Sequence, residues 1–193
     1  ALFTTQAEAV AAVWPAAHEG SDEQACPLET LAPRLTDLSY HPEGTLRDAG
    51  VHGLTRCRHL AVLRIDGPLP FASRGTMRSA FDRWAATRAP VDHVIFVGSA
   101  LGRFDVRESE HLREFVTYVR ERGYRVVLAN VPDRVAETLA RNGVVDALGL
   151  DSFFASEPAA LASMWSHAHA AHDEDPCPLS PLLPRITELA LHP

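Results

Sequence analysis

The sequence predicts an α/β domain with a mostly parallel sheet, and three observations predict it. Short β-branched runs (Leu60–Ile65, His93–Val97, Arg125–Ala129) alternate with longer segments whose apolar residues recur at helical spacing. Gly, Pro and Asn mark most of the junctions between them. Strands separated by helix-length connections pair in parallel through right-handed crossovers, which leaves few other topologies.

Taken in order, residues 7–17 are Ala-rich with Val10, Val13 and Trp14, and read as a short helix before an acidic turn. Leu28, Leu31, Leu35 and Leu38 follow at helical spacing, with Pro33 placed for a first turn, so a second helix is expected there. Thr45 to Val51 suits a short edge strand. Leu60–Ile65 is the first strong strand, stopped by Asp66-Gly67-Pro68. Ser73 then caps a helix carrying Met77, Phe81, Trp84 and Ala85 on one side, and Ala89-Pro90 ends it.

His93–Val97 forms the central strand, broken by Gly98 and Gly102. Asp105 suits an N-cap and Glu108 holds the acid position of a capping box. Leu112, Phe115, Val116 and Val119 give the following helix its buried face, and Gly123 closes it. Arg125–Ala129 is a strand. Pro132-Asp133 opens a helix with Val135 and Leu139, ended by Asn142-Gly143. Val144 to Leu150 is an apolar turn, Phe153-Phe154 a short strand, and Glu157 to His169 a last helix with Leu161, Met164 and Trp165.

The chain also repeats part of itself. Residues 1–42 align without a gap on residues 152–193, at an offset of 151, with 18 of 42 positions identical. The identities include Trp14 with Trp165, His18 with His169, Asp22 with Asp173, Cys26 with Cys177 and Pro33-Arg34 with Pro184-Arg185. A duplicated unit of about 151 residues explains this. Residues 1–42 then form the helical tail of a preceding unit, 43–170 the domain proper, and 171–193 the repeated tail. The apolar side of Leu28 to Leu38 needs cover from this unit or from a second copy, so a homodimer is among the outcomes.

Composition excludes several function classes. The formal charge of −7 over 193 residues argues against nucleic acid as the partner. No apolar run approaches the roughly 20 residues of a membrane span. Three cysteines without a C-x-x-C pair suit a reducing compartment. The first residue is Ala, as expected of a piece of a longer protein. No nucleophile elbow, phosphate loop or H-E-x-x-H motif occurs, so no catalytic residue and no cofactor is expected. Asp66, Asp105 and His93 lie near strand ends and could share a cleft. Trp14, Trp84 and Trp165 suit core or interface positions.

Two candidate sites follow. The first is the loop before the central helix, with Ser99, Asp105, Arg107, Glu108 and Ser109. There a helix N-terminus and Arg107 could meet an anion or a partner carboxylate, or Asp105 and Glu108 could simply cap the helix. The second is the repeated His-x3-Asp-x3-Cys pattern, His169, Asp173 and Cys177. Its residue types suit a metal, although only His169 and Asp173 have the i,i+4 spacing of one helix face. A capped helix end beside a small buried Cys is the plainer reading, and no metal site is expected.

The stretch Leu60 to Ser73, with Asp66-Gly67-Pro68-Leu69 and then Phe71-Ala72, resembles the STAS domain in its anion-transporter (SulP-type) version. Gly44-Thr45-Leu46-Arg47-Asp48, the loop Ser99 to Asp105, and Asn142-Gly143 through Phe153 are similar to further parts of that family. The resemblance covers about residues 44–170. It implies a mixed, mostly parallel sheet of 4–5 strands with helices packed mainly on one face. It also implies a non-catalytic regulatory or protein-interaction domain that binds other domains of its parent or a regulatory protein and, as some members do, nucleotide, with a small anion as a further candidate ligand. Its expected location is the cytoplasm, at the membrane only through the parent transporter. The alternative is a soluble anti-sigma-factor-antagonist-like scaffold. Those antagonists carry a phosphorylated Ser or Thr two residues after the Asp, and here that position is Arg107, so no phosphorylation is expected there.

Overall fold

The computed structural model describes residues 34–66, 74–88, 90–102, 104–170, 177 and 179–191. The described strands are β1 (Arg34–Tyr40), β2 (Leu46–Asp48), β3 (Leu60–Asp66), β4 (His93–Val97), β5 (Arg125–Ala129) and β6 (Phe153–Phe154). The described α-helices are α1 (Arg74–Thr87), α2 (Val106–Glu121), α3 (Asp133–Arg141), α4 (Val144–Leu148), α5 (Glu157–His169) and α6 (Leu183–Leu191). One six-stranded sheet runs in the order β2-β1-β3-β4-β5-β6. The strands β3 to β6 are parallel, and β1 is antiparallel to both its neighbours. The mixed, mostly parallel α/β architecture is the one expected, with one strand more than the resemblance implied.

Side-chain alternation along the central strands builds two cores. Ala61, Leu63, Ile65, Val94, Phe96, Val126 and Leu128 face α1 to α4, while Leu60, Val62, Ile95, Val97 and Ala129 face α5 and α6. Phe81 of α1 anchors the first core. It is fully buried and lies edge-on to Tyr124 (5.1 Å between centroids) and Phe115 (6.2 Å). The second core is closed by Ala160, Leu161 and Met164 of α5 together with Leu179 and Ile186 of the C-terminal segment.

The helix expected over residues 28–38 is corrected in its described part. Leu35 and Leu38 lie in β1, paired with Ile65 and Val62 of β3. Leu35 packs against the first core and Leu38 is buried in the second. A strand with apolar residues on both faces loses its alternation, and that is why Leu35 and Leu38 imitate a helical stripe. Asp37 ties β1 to its neighbours through ion pairs with Arg56 (3.1 Å) and Arg88 (3.2 Å) and a hydrogen bond from Trp84 Nε1 (3.4 Å). Burial pushes its carboxyl up, against the opposing pull of Arg88. The helix expected over 7–17 and the Ser73 cap lie outside the described residues.

β1 also lies within the stretch that the repeat alone assigned to a preceding unit. Removing residues 1–42 therefore deletes five ladder pairs with β3 and uncovers the β3 edge. Burial of Leu38 alone contributes about 2 kcal/mol, against a total domain stability of about 5–15 kcal/mol. A chain beginning at residue 43 should show no cooperative thermal transition by circular dichroism. A sharp transition near that of the intact chain would mean that β1 is dispensable.

Candidate functional site

The loop that leaves β4 is shaped by close packing. A Cβ on Gly98 would lie 2.9 Å from Val131 Cγ2 and 3.3 Å from its Cα, so only Gly fits where β4 ends against the chain after β5. Beyond it Ser99 is exposed. Asp105 forms the expected capping box at α2: its Oδ1 accepts from the backbone N–H of Arg107 (2.7 Å) and Glu108 (3.0 Å). In return Glu108 Oε2 accepts from the Asp105 N–H (2.6 Å). Ser109 is buried. Its hydroxyl donates to the Asp105 carbonyl (2.7 Å) and accepts from Asn142 Nδ2 (3.0 Å), which ties α2 to the end of α3.

This arrangement leaves little at the helix N-terminus for an outside anion. The backbone N–H groups of Arg107 and Glu108 already serve Asp105. The Glu108 and Arg107 N–H groups, with the neighbouring charges, hold the Asp105 carboxyl below its ordinary value. Burial pushes Glu108 the other way. Arg107 stands exposed beside them.

Asp66, Asp105 and His93 do not share a cleft. Asp66 ends β3 and Asp105 follows the end of β4, whereas His93 begins β4 at the opposite pole. Asp66 accepts from Thr36 Oγ1 (2.5 Å) and Arg64 Nε (2.7 Å); burial pushes its carboxyl up, but these partners hold it below the ordinary value overall. His93 is buried, with Nδ1 2.6 Å from Asp92 Oδ1 and, among the described residues, no hydrogen-bond partner at Nε2. It lines a cleft of about 550 Å³ with Arg125, Asp151, Phe154, Ser163 and His167. Arg120 braces that cleft through the Leu148 carbonyl (3.0 Å), the Val126 carbonyl (3.2 Å) and Ser152 Oγ (2.7 Å).

The same pole holds a cluster of thiols and imidazole. Cys57 precedes β3, His169 ends α5 and Cys177 precedes α6, yet their Sγ and ring nitrogen atoms all lie within 4.8 Å of one another. Cys57 Sγ is 3.3 Å from His169 Nε2 and accepts from the N–H groups of His59 and Leu60, each at 3.3 Å. The His169 ring stacks on Trp165 (4.1 Å) and meets His59 edge-on (5.4 Å). A hydrogen bond from Cys177, with those backbone donors, brings the Cys57 thiol down, while Cys177 is pushed up. His169 and Cys177 were legible in the sequence through their repeat. Cys57 was not, because 112 residues separate it from His169. Asp173 lies outside the described residues.

A family model described as the STAS domain matches residues 53–160. Sulfate transporter 3.2 of Arabidopsis thaliana is 23% identical over 151 residues, which is 74% of this chain and 22% of that protein. The chain thus spans about a fifth of that relative's length. The SulP transporter STAS domain from Vibrio cholerae is similar in structure, with a TM-score of 0.50, 24% identity, and coverage of 63% of this chain and 93% of that one. The murine Slc26a9 anion transporter in its inward-facing state gives a TM-score of 0.57 at 14% identity, over 71% of this chain and 22% of that one. At these identities the structural likeness carries the fold.

The capping box makes a measurable contribution. Replacing an N-cap carboxylate by Ala costs about 1 kcal/mol, so Asp105→Ala should lower stability by that much in urea unfolding at neutral pH. Because the folded pKa of Asp105 is depressed, its contribution is complete above the ordinary Asp value of about 4 and is lost as pH falls through the lower folded value. Equal stability of the two proteins at neutral pH would show the box to be inert.

Proposed function

Because the chain belongs to the STAS domain family, we propose that it is the non-catalytic regulatory domain of a larger anion transporter of the SulP type. The observation that carries this reading is the match to a sulfate transporter over most of this chain but only 22% of the transporter. A domain of that kind works at the cytoplasmic face of the membrane, through contact with other parts of its parent. No helix among the described residues is long and apolar enough to cross a membrane, which is consistent with a domain appended to the membrane part.

The contact surface in this reading is the loop of Ser99, Asp105, Arg107 and Glu108. The filled capping box favours partner contact through Arg107 over capture of a small anion or nucleotide. An exposed Arg where antagonist relatives carry a phosphorylated hydroxyl likewise favours a constitutive contact over a phosphorylation switch. The repeat supports a parent with such units in tandem. The pairing of residues 34–40 in this sheet supports a unit boundary nearer residue 33 than residue 42, with residues 185–191 as their counterpart in the repeat.

The test is uptake of labelled sulfate by cells producing the protein at its native length, unmodified and as Arg107→Glu. Charge reversal at a contact rim changes association and its salt dependence. We expect a several-fold change in uptake at equal membrane level, with unchanged melting of this domain. Equal uptake by both would remove the loop as the contact surface. Absence of sulfate uptake by the unmodified protein would overturn the transporter reading.

A further inference from the structure

Three segments distant in sequence bring soft donors to one point. Cys57 and Cys177 are buried, and His169 reaches them from the last turn of α5. We propose that Cys57, His169 and Cys177 bind a Zn2+ ion. This goes beyond the regulatory reading and does not rest on it.

The donor geometry needs little adjustment. Tetrahedral Zn2+ with Zn–S near 2.3 Å and Zn–N near 2.0 Å places its ligand atoms about 3.5–3.8 Å apart. Here Sγ of Cys57 and Nε2 of His169 are 3.3 Å apart, and all three donor atoms fall within 4.8 Å.

The imidazole is already oriented as a ligand. His169 Nδ1 lies 2.8 Å from the Trp165 carbonyl. A carbonyl only accepts, so Nδ1 carries a ring proton, and Nε2, the nitrogen on the Cys57 side, is the one left to ligate. Hydrogen bonding of the second ring nitrogen to a carbonyl is the support that metal-bound histidines usually have. Stacking on Trp165 fixes the ring plane.

The sulfur is prepared as well. The two backbone N–H groups on Cys57 Sγ stabilise negative charge there, as a thiolate ligand requires. On binding, the thiol protons leave to solvent. Three protein ligands leave the fourth position to water or another small donor.

A plain thiol pair would not need this histidine, and the repeat retains it. His18 and Cys26 stand in the first copy where His169 and Cys177 stand in the second, and of the seven residues between them only Asp22-Glu23 also recurs, as Asp173-Glu174. The ion would join the loop before β3, the end of α5 and the start of the C-terminal segment, which also meet in the second core.

The test uses the full chain, reduced with a phosphine and desalted, then titrated with Co2+ and with Zn2+. We expect one metal per chain, a sulfur-to-cobalt charge-transfer band with the strong visible bands of tetrahedral Co2+, and displacement of Co2+ by Zn2+. Zn2+ should also raise the thermal midpoint, because it binds the folded state. Cys57→Ser, Cys177→Ser and His169→Gln should each weaken Zn2+ binding by more than an order of magnitude, and Cys26→Ser should leave it unchanged. The spectrum of the unmodified chain decides the matter even where a variant fails to fold. Absence of the charge-transfer band, or binding that survives in folded Cys57→Ser and Cys177→Ser, would overturn the proposal. So would a reduced chain that takes up no metal and forms a Cys57–Cys177 disulfide in air.

Discussion

The central strands are apolar on both faces, and the rest of the molecule answers that constraint. Adjacent residues such as Ala61 and Val62, or Phe96 and Val97, enter opposite cores. A parallel sheet of this kind cannot leave either face in water. Among the described residues, α1 to α4 cover one face. The other has α5, and it is completed by Leu179, Leu182 and Ile186 from the C-terminal segment. That segment is therefore part of the core, although it lies beyond the family match that ends at residue 160. The thiol and imidazole cluster sits where this second layer meets the start of β3, so the C-terminal segment that completes the layer also brings Cys177 to Cys57.

The two poles of the sheet use the chain differently. At the ends of β3 and β4 the polar groups are spent on structure. Asp66 holds Arg64 and Thr36, Asp105 caps α2, and Ser109 bridges to Asn142. At the beginnings of the strands, polar groups collect beneath α5: His93 with its Nε2 unpartnered among the described residues, the Arg125 side of the cleft, and the Cys57 cluster. The cap at the first pole draws on neighbouring residues. Asp105, Arg107 and Glu108 are a local motif, readable from spacing alone, and the capping box formed as that spacing implies. The second pole draws on residues 112 positions apart, and no spacing rule connects them. What the sequence offered there was the recurrence of a His and a Cys in both copies of the repeat.

Most of the strands and helices were legible because their patterns are local. β3, β4 and β5 are dense β-branched runs, and α2 has both a cap and a stripe. β1 was not legible. Leu35 and Leu38 are three residues apart, which a helix places on one side, while a strand sends them to opposite faces. Apolar residues at that spacing suit either element, so periodicity could not choose between them. The choice depends on β3, which lies more than twenty residues downstream and supplies the pairing partner.

The repeat shows the same choice being made twice. Arg34–Tyr40 is a strand, and its counterpart Arg185–Leu191 lies in α6, although Arg, Thr and Leu recur at equivalent positions. As a strand, the first copy buries Leu38 to 6% exposure; as a helix, the second leaves the equivalent Leu189 at 38%. The strand is thus the better burial for this pattern, and the helix is what remains when the places beside β3 and β2 are filled. Without those partners the second copy satisfies its backbone within itself and buries one residue well, Ile186, against the core that holds Leu38 and Tyr40. Arg185 meanwhile lies across Gly44, close enough that a Cβ there would sit 2.7 Å from its Nε. Propensity over seven residues is weak compared with an available sheet edge. The secondary structure of this segment is therefore a property of its neighbours, and what fixes the C-terminal copy on its own unit is packing at Ile186 and the anchoring of Cys177 just before it.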